Sequence, residues 1–232
     1  MVRILCVIPA RSGSKSLPNK NIKNFKGKPL LAWSIQQMKD SKFSKNTRII
    51  VSTDSENYRN IAIKWGAEAP FLRPKNISLD DSNDYECINH AVSWLKINED
   101  YESDIIIQLR PTQPCRKVED INKSLEIFIE NIDIYDSLRT VVKMEKSAYK
   151  MYTKNDKELI PLFKTYKNMK EPFNECRQKL PICYLHNGYI DILKTSILKK
   201  GLLSGKILCY EMREKDLIDI DTYEDWINAV KN

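Results

Sequence analysis

The amino-acid sequence predicts an α/β fold, a mostly parallel sheet with helices on both faces. Two observations carry that expectation. Apolar runs of strand length alternate with stretches of helical periodicity along most of the chain, the order expected of strand–helix–strand units. The clearest runs, ILCVIP (4–9) and DIIIQLR (104–110), are nearly continuous in apolar residues, as strands covered on both faces are.

Each element follows in turn. Residues 4–9 form the first strand. Pro29 suits the first position of a helix that sets Leu31, Ile35 and Met38 on one face. RIIVST (48–53) is a second strand, and SENYRNIAIKWG (55–66) a helix that Gly66 stops. PFLR (70–73) reads as a short strand. A helix over 84–97 holds Ile88, Ala91, Val92 and Leu95 in register. The strand at 104–110, a helix from Asp120 to Glu130 and a strand at LRTVVKM (138–144) continue the rhythm.

Between about 145 and 182 the rhythm breaks, and Lys, Tyr, Asn and Glu crowd short apolar patches. A structureless loop of that length is unusual in a compact domain. The segment is therefore expected to be an excursion with its own strands that packs against a second subunit. Periodicity returns with YLHNGYIDIL (184–193) and KILCYEM (206–212), and DLIDID (216–221) precedes a final helix, TYEDWINAV.

At 232 residues, 42% of them hydrophobic, the chain is long enough to bury roughly 70% of its unfolded surface. One domain over 1–232 is expected, with 145–182 as its excursion. No run approaches the roughly 20 apolar residues of a membrane span, and the N-terminus lacks the features of a signal peptide, so a cytoplasmic protein without membrane contact is expected. The net charge of +7 is spread along the chain among acidic residues, without a basic stripe, which argues against a nucleic-acid partner. The six cysteines form no C-x-x-C pair and read as reduced, mostly buried thiols. With only His90 and His186, a zinc site is not expected.

Three stretches are candidates for chemistry. In VIPARSGSKSLPNKNI (7–22) a strand ends in a turn rich in Gly and Ser, flanked by Arg11, Lys15 and Lys20. Successive backbone N–H groups there make a concave anion site, and Arg11 and Lys20 can close on opposite sides of one polyphosphate. The pattern is neither G-x-x-x-x-G-K-[ST] nor G-x-G-x-x-G, and a merely basic surface loop is the alternative. In DLIDIDTYEDW, strand alternation sets Asp219 and Asp221 on one face with Ile220 inward. Two such carboxylates suit a hard cation such as magnesium. Thr222 and Asp225 read as a capping-box variant, which leaves the Asp219–Asp221 pair unexplained. In QLRPTQPCR (108–116) a strand end carries Arg110, Gln113 and Arg116. Ligands sit at such strand ends in open α/β sheets, so Arg110 and Gln113 are expected to face a cleft. Arginine's planar fork suits a carboxylate, and arginines that only cap carbonyls are the alternative.

Together these stretches resemble the CMP-sialic acid synthetases (acylneuraminate cytidylyltransferases) and, more loosely, the enzymes for Kdo, pseudaminic and legionaminic acids. IPARSGSKSLPNKNIKNFKGKPLLAWSI is similar to the family's opening motif, and VSTDSE, FLRP, RQKLP, HNG and DIDTYED follow in family order. The resemblance implies a Rossmann-like fold of the nucleotide-diphospho-sugar transferase type. It implies a magnesium-dependent homodimer that transfers CMP from CTP to the anomeric hydroxyl of a sialic-acid-like nonulosonate, releasing pyrophosphate. It implies that Arg11 and Lys20 hold the triphosphate, that Ala10, Ser14, Lys15 and Asn21 shape that loop, and that Arg73 and Asp80 read cytidine. It also implies that Asp219 and Asp221 hold the metal and that Arg177, Gln178 and Asn187 approach the sugar with Arg110 and Gln113.

The chain departs from the family pattern on the acceptor side. Arg110 stands where glutamine is usual, Gln113 where serine is, Tyr189 where alanine is and Asp191 where tyrosine is. Kdo or another acidic acceptor is the alternative reading, and a non-catalytic nucleotide-binding homologue the third. No general base stands out.

Overall fold

The computed structural model describes residues 2–213 and 217–231. Its strands are β1 (Ile4–Pro9), β2 (Asn24–Phe25), β3 (Lys28–Pro29), β4 (Thr47–Ser52), β5 (Ile105–Gln108), β6 (Ser137–Lys143), β7 (Tyr152–Asn155), β8 (Glu158–Pro161), β9 (Tyr184–Lys194) and β10 (Ile207–Met212). Six of them form one sheet in the order β10-β6-β9-β5-β1-β4. The alternation in sequence thus gives the expected α/β sheet with one exception to parallel pairing. Strand β9 runs antiparallel to both β5 and β6, while β1–β4, β1–β5 and β6–β10 pair in parallel.

Because β1 is apolar at every position, it buries both faces. Ile4, Cys6 and Ile8 join a core with α1 (Leu30–Asp40), α2 (Glu56–Lys64) and α4 (Val118–Glu130). Leu5 and Val7 point the other way, into a core with Cys87, Ile88, Ala91 and Leu95 of α3 (Asp84–Glu99). Helix starts and stops follow local chemistry. Asn83 accepts from the Glu86 amide at 3.0 Å and the Glu86 carboxylate accepts from the Asn83 amide at 2.9 Å, a reciprocal cap that starts α3. Gly66 at φ +87° ends the turn after α2, a conformation glycine adopts without a Cβ clash.

A third cluster closes the chain on itself. Ile220 and Trp226 pack against Leu17, Phe25 and Leu30, with the Phe25 and Trp226 rings edge to face at 5.7 Å. Helix α5 (Tyr223–Lys231) therefore docks beside the loop that follows β1. Its start matches the sequence reading: Thr222 N–H donates to Asp225 at 2.8 Å and Asp225 N–H donates to the Thr222 hydroxyl at 3.2 Å.

Three expectations need correction. PFLR is not a strand; the sheet partner there is Glu68, in a single bridge to Ile50. Residues 217–221 form no strand, so a backbone bond, Ile220 N–H to the Thr112 carbonyl at 2.9 Å, holds Asp219 and Asp221 rather than strand pairing; Asp216 lies outside the described residues. All six cysteines are free as expected, but only Cys6 and Cys87 are buried, and Cys176 and Cys209 are exposed. The cores of β1 and α3 take two thiols, Cys115 packs half-buried against the cluster that seats α5, and the other three sit on the polar later half. The excursion does carry its own strands, a β7–β8 hairpin, with Tyr149 stacked on Phe163 at 4.6 Å.

Removing the ring that seats α5 should be costly. Trp226→Ala is expected to destabilise by about 3–5 kcal/mol, a fall in Tm of roughly 6–20 °C at about 2–4 °C per kcal/mol. A thermal melt that shifts by less than a degree contradicts this seating of the C-terminal helix.

Candidate active site

The loop after β1 owes its shape to two side-chain locks. The Ser12 amide and hydroxyl both donate to Asp54, at 2.7 and 2.9 Å. The Asn21 side-chain amide donates to the Arg11 carbonyl at 3.0 Å, folding residue 21 back onto residue 11. Arg11, Ser14, Lys20 and Asn21 thereby line one side of a cleft of about 200 Å³, and Asn83, Asp84, Arg110 and Thr112 line the other. The cleft opens at the carboxyl ends of β1 and β5, where the sequence placed it. A larger cavity of about 550 Å³ lies at the opposite ends of these strands, beside Arg3 and Asp104, and holds none of the candidate residues.

Charge is concentrated at the cleft. Lys20 is nearly covered, its side chain 12% exposed, and its Nζ lies 2.8 Å from Asp221 Oδ1. Cations from the front of the chain and acids from its end therefore meet. Desolvation pushes the Asp219 carboxyl above the ordinary carboxylate value, and the neighbouring Asp221 charge pushes it further, while Thr112, Lys20 and Arg110 pull it back. Arg11 donates to Asp80 at 2.6 Å, and Lys15 also pairs with Asp80. Hydrogen bonds from Lys15 and then Arg11 hold the Asp80 carboxyl below its ordinary value. Arg73 is buried and lines the cleft. Its backbone N–H donates to Thr53 and its Nε to Ser78, but among the described residues its buried Nη2 has no partner. A buried donor left unpaired costs about 1–3 kcal/mol, a debt that a ligand acceptor would cancel.

Other candidates fall elsewhere. Ala10 is fully buried, its N–H donating to the Ser52 carbonyl at 2.9 Å. Gln113 does not face the cleft: it is buried and donates to the Asn187 carbonyl at 3.3 Å, because the turn after β5 points it under β9. Asn187 is half-buried and spends its side-chain oxygen on Thr140 and on the Tyr189 amide. Tyr189 also turns inward, its hydroxyl accepting from the Lys117 amide and donating to Asp120. Arg116 caps carbonyls, those of Tyr189 and Arg110 at 2.6 and 3.0 Å. Arg177 and Gln178 are exposed on the excursion and are not among the residues lining the cleft.

Asp84 and Asp191 were missed. Asp84 accepts from Gln108 at 2.8 Å and from Arg110 at 2.6 Å. Its signal was the Asn83–Glu86 capping spacing, which starts α3 at the cleft. Asp191 read only as a departure from the family pattern; two of its partners, Arg110 and Arg139, lie more than 50 residues away in sequence, and the third, His186, is five residues away, a spacing that regular strand alternation would put on the opposite face.

The comparisons with known proteins agree with this geometry. The cytidylyltransferase family model matches residues 5–221. The chain is 29% identical over 97% of its length to an N-acylneuraminate cytidylyltransferase of Streptococcus agalactiae serotype III, of which it spans about half, 52%. It is 33% identical to the post-translational flagellin modification protein B of Campylobacter coli, covering 97% of this chain and 93% of that one. It is 32% identical to a pseudaminic acid cytidylyltransferase of Campylobacter jejuni serotype O:23/36, covering 95% and 92%. Among solved structures, CMP-2-keto-3-deoxy-manno-octonic acid synthetase complexed with CTP superposes with a TM-score of 0.68 at 15% identity, covering 99% of this chain and 97% of that one, which shows the shared fold. From the strand order, the cleft and the family match together, the chain belongs to the cytidylyltransferase family.

Proposed function

We propose that this chain transfers CMP from CTP to the anomeric hydroxyl of a sialic-acid-like nonulosonate and releases pyrophosphate. The observation that carries the reading is the meeting of Lys20 with Asp221 at 2.8 Å, Lys20 and Arg11 both lining one cleft. The oxygen–hydrogen bond of the sugar hydroxyl breaks, its proton passing to solvent water, as its oxygen bonds the α-phosphorus, and the bond from that phosphorus to the bridging oxygen breaks, that oxygen leaving with the pyrophosphate. Arg11 and Lys20 stand where negative charge grows on the leaving pyrophosphate, the type of preorganised contact that lowers such barriers. Ser14, Lys15 and Asn21 hold the loop, and the unpaired Arg73 Nη2 offers a donor to the nucleotide.

Asp219 and Asp221 fit a magnesium ion in one respect: two neighbouring carboxylates, one of them raised first by burial and then by the other's charge, are what a divalent cation would neutralise. Among the described residues no group of three or more His, Cys, Asp and Glu gathers, so water and phosphate oxygens would complete the shell, as magnesium prefers. Bound there, the ion would offset phosphate charge.

The same reading takes residues 1–232 as one domain in the cytosol with no nucleic-acid partner; no described helix is long and apolar enough to cross a membrane. It also takes the protein as a homodimer. Leu159, Leu162 and Phe163 of the excursion and Leu185 of β9 are exposed, apolar surface that a second copy would cover.

Two experiments test these proposals. Incubation with CTP, magnesium and a panel of acidic sugars is expected to release pyrophosphate with a nonulosonate; release only with Kdo moves the acceptor, and tight CTP binding without release favours a non-catalytic role. Sedimentation equilibrium is expected to give about twice the 27.1 kDa chain mass, shifting toward monomer in the Leu159→Glu, Leu185→Glu double variant. A monomer before substitution refutes the dimer.

A further inference from the structure

The pairing of β9 with β6 slips between Arg139 and Val141, and the slip sets His186 beside Asp191 although they are five residues apart. Asp191 is fully buried. Its Oδ2 lies 2.5 Å from Arg110 Nη1, and its Oδ1 lies 2.8 Å from Arg139 Nη1 and 2.7 Å from His186 Nε2. Burial by itself pushes this carboxyl up, but the hydrogen bond with His186 and the Arg110 and Arg139 charges outweigh it and hold Asp191 well below the ordinary range. The buried charge is therefore kept, in the paired and hydrogen-bonded form that burial demands.

What Asp191 holds is Arg110, at the cleft wall. The guanidinium is gripped on several sides: Nη1 by Asp191 and by the Gly188 carbonyl at 3.1 Å, Nη2 by Asp84 at 2.6 Å. Gly188 has φ +63°, and a Cβ there would sit 3.1 Å from Arg110 Nη1, so the backbone of β9 presses directly on the fork. Among the described residues, Nε has no protein partner. The formal charges of Arg110, Arg139, Asp84 and Asp191 sum to zero, so an anion approaching this wall meets no net repulsion, unlike at an uncompensated carboxylate. Arg110 also stands across the cleft from the loop that carries Arg11 and Lys20, too far along the β5 side to be one more residue of that loop.

We propose that Asp191 is a positioning residue for the acceptor: it locks the Arg110 fork in the one orientation that receives the carboxylate of the acidic sugar. The inference deepens the proposed activity and rests on it. Arg110 makes the contact, and Asp191 acts through Arg110.

Steady-state kinetics with both substrates, alongside thermal melts, test this. Asp191→Asn is expected to raise the acceptor KM at least tenfold and to leave the CTP KM within twofold. Arg110→Lys keeps the charge, loses the fork and leaves Asp191 in place, and is expected to give the same split even if Asp191→Asn does not fold. Adding Asp191→Asn to Arg110→Gln is expected to raise the acceptor KM no further than Arg110→Gln alone. An unchanged acceptor KM in Arg110→Lys, or equal rises in both KM values, overturns the role. A wild-type protein that releases no pyrophosphate with any acidic sugar removes the underlying activity, and the role with it.

Discussion

The Lys20–Asp221 contact joins residues 201 positions apart, and the candidate site depends on it. As an ion pair it is too weak to hold itself. Asp221 is 65% exposed, and such pairs contribute about 0–1 kcal/mol. Apolar packing does the holding: Ile220 and Trp226 against Leu17, Phe25 and Leu30, each buried side chain contributing about 1.5–3 kcal/mol. Hydrophobic burial thus places the charges, and the charges stay available because the pair they form is cheap to exchange. On the proposed reading, an entering triphosphate would offer Lys20 a stronger partner and free Asp221 to act with Asp219.

The parts of this arrangement that come from local pattern were readable in the sequence. The apolar continuity of 4–9 and 104–110 marked the central strands, Gly66 and the Thr222–Asp225 spacing marked helix boundaries, and the cations after β1 marked one wall of the cleft. What was not readable depends on contacts distant in sequence. Antiparallel β9 looks like any other apolar run, because hydrophobic periodicity carries no direction. Gln113 and Tyr189 looked like cleft residues by position, yet each turns inward to a hydrogen-bond partner more than 60 residues away. Asp84 became part of the site only because a capping box starts α3 beside β5.

The two sides of the cleft differ in how they are built. The wall proposed to hold phosphate is a loop held by Asp54 and by Asn21, with its cations already paired to Asp80 and Asp221. The other side is a part-buried ion network that joins the turn after β5 to β6 and β9 through Asp191. A loop whose ion pairs exchange suits a substrate tail that arrives with its own counter-charge. A fixed fork suits discrimination between acceptors of different shape, since a preorganised donor loses little on binding.

The central claim is that the front cations and the terminal acids act on a single nucleotide tail and its metal. Calorimetric titration of CTP into wild-type and Asp221→Asn protein, each with and without magnesium, tests it most directly. The account predicts that magnesium tightens CTP binding at least tenfold in the wild type and has little effect in Asp221→Asn, whose Tm stays within a few degrees. An equal magnesium gain in both proteins would contradict it.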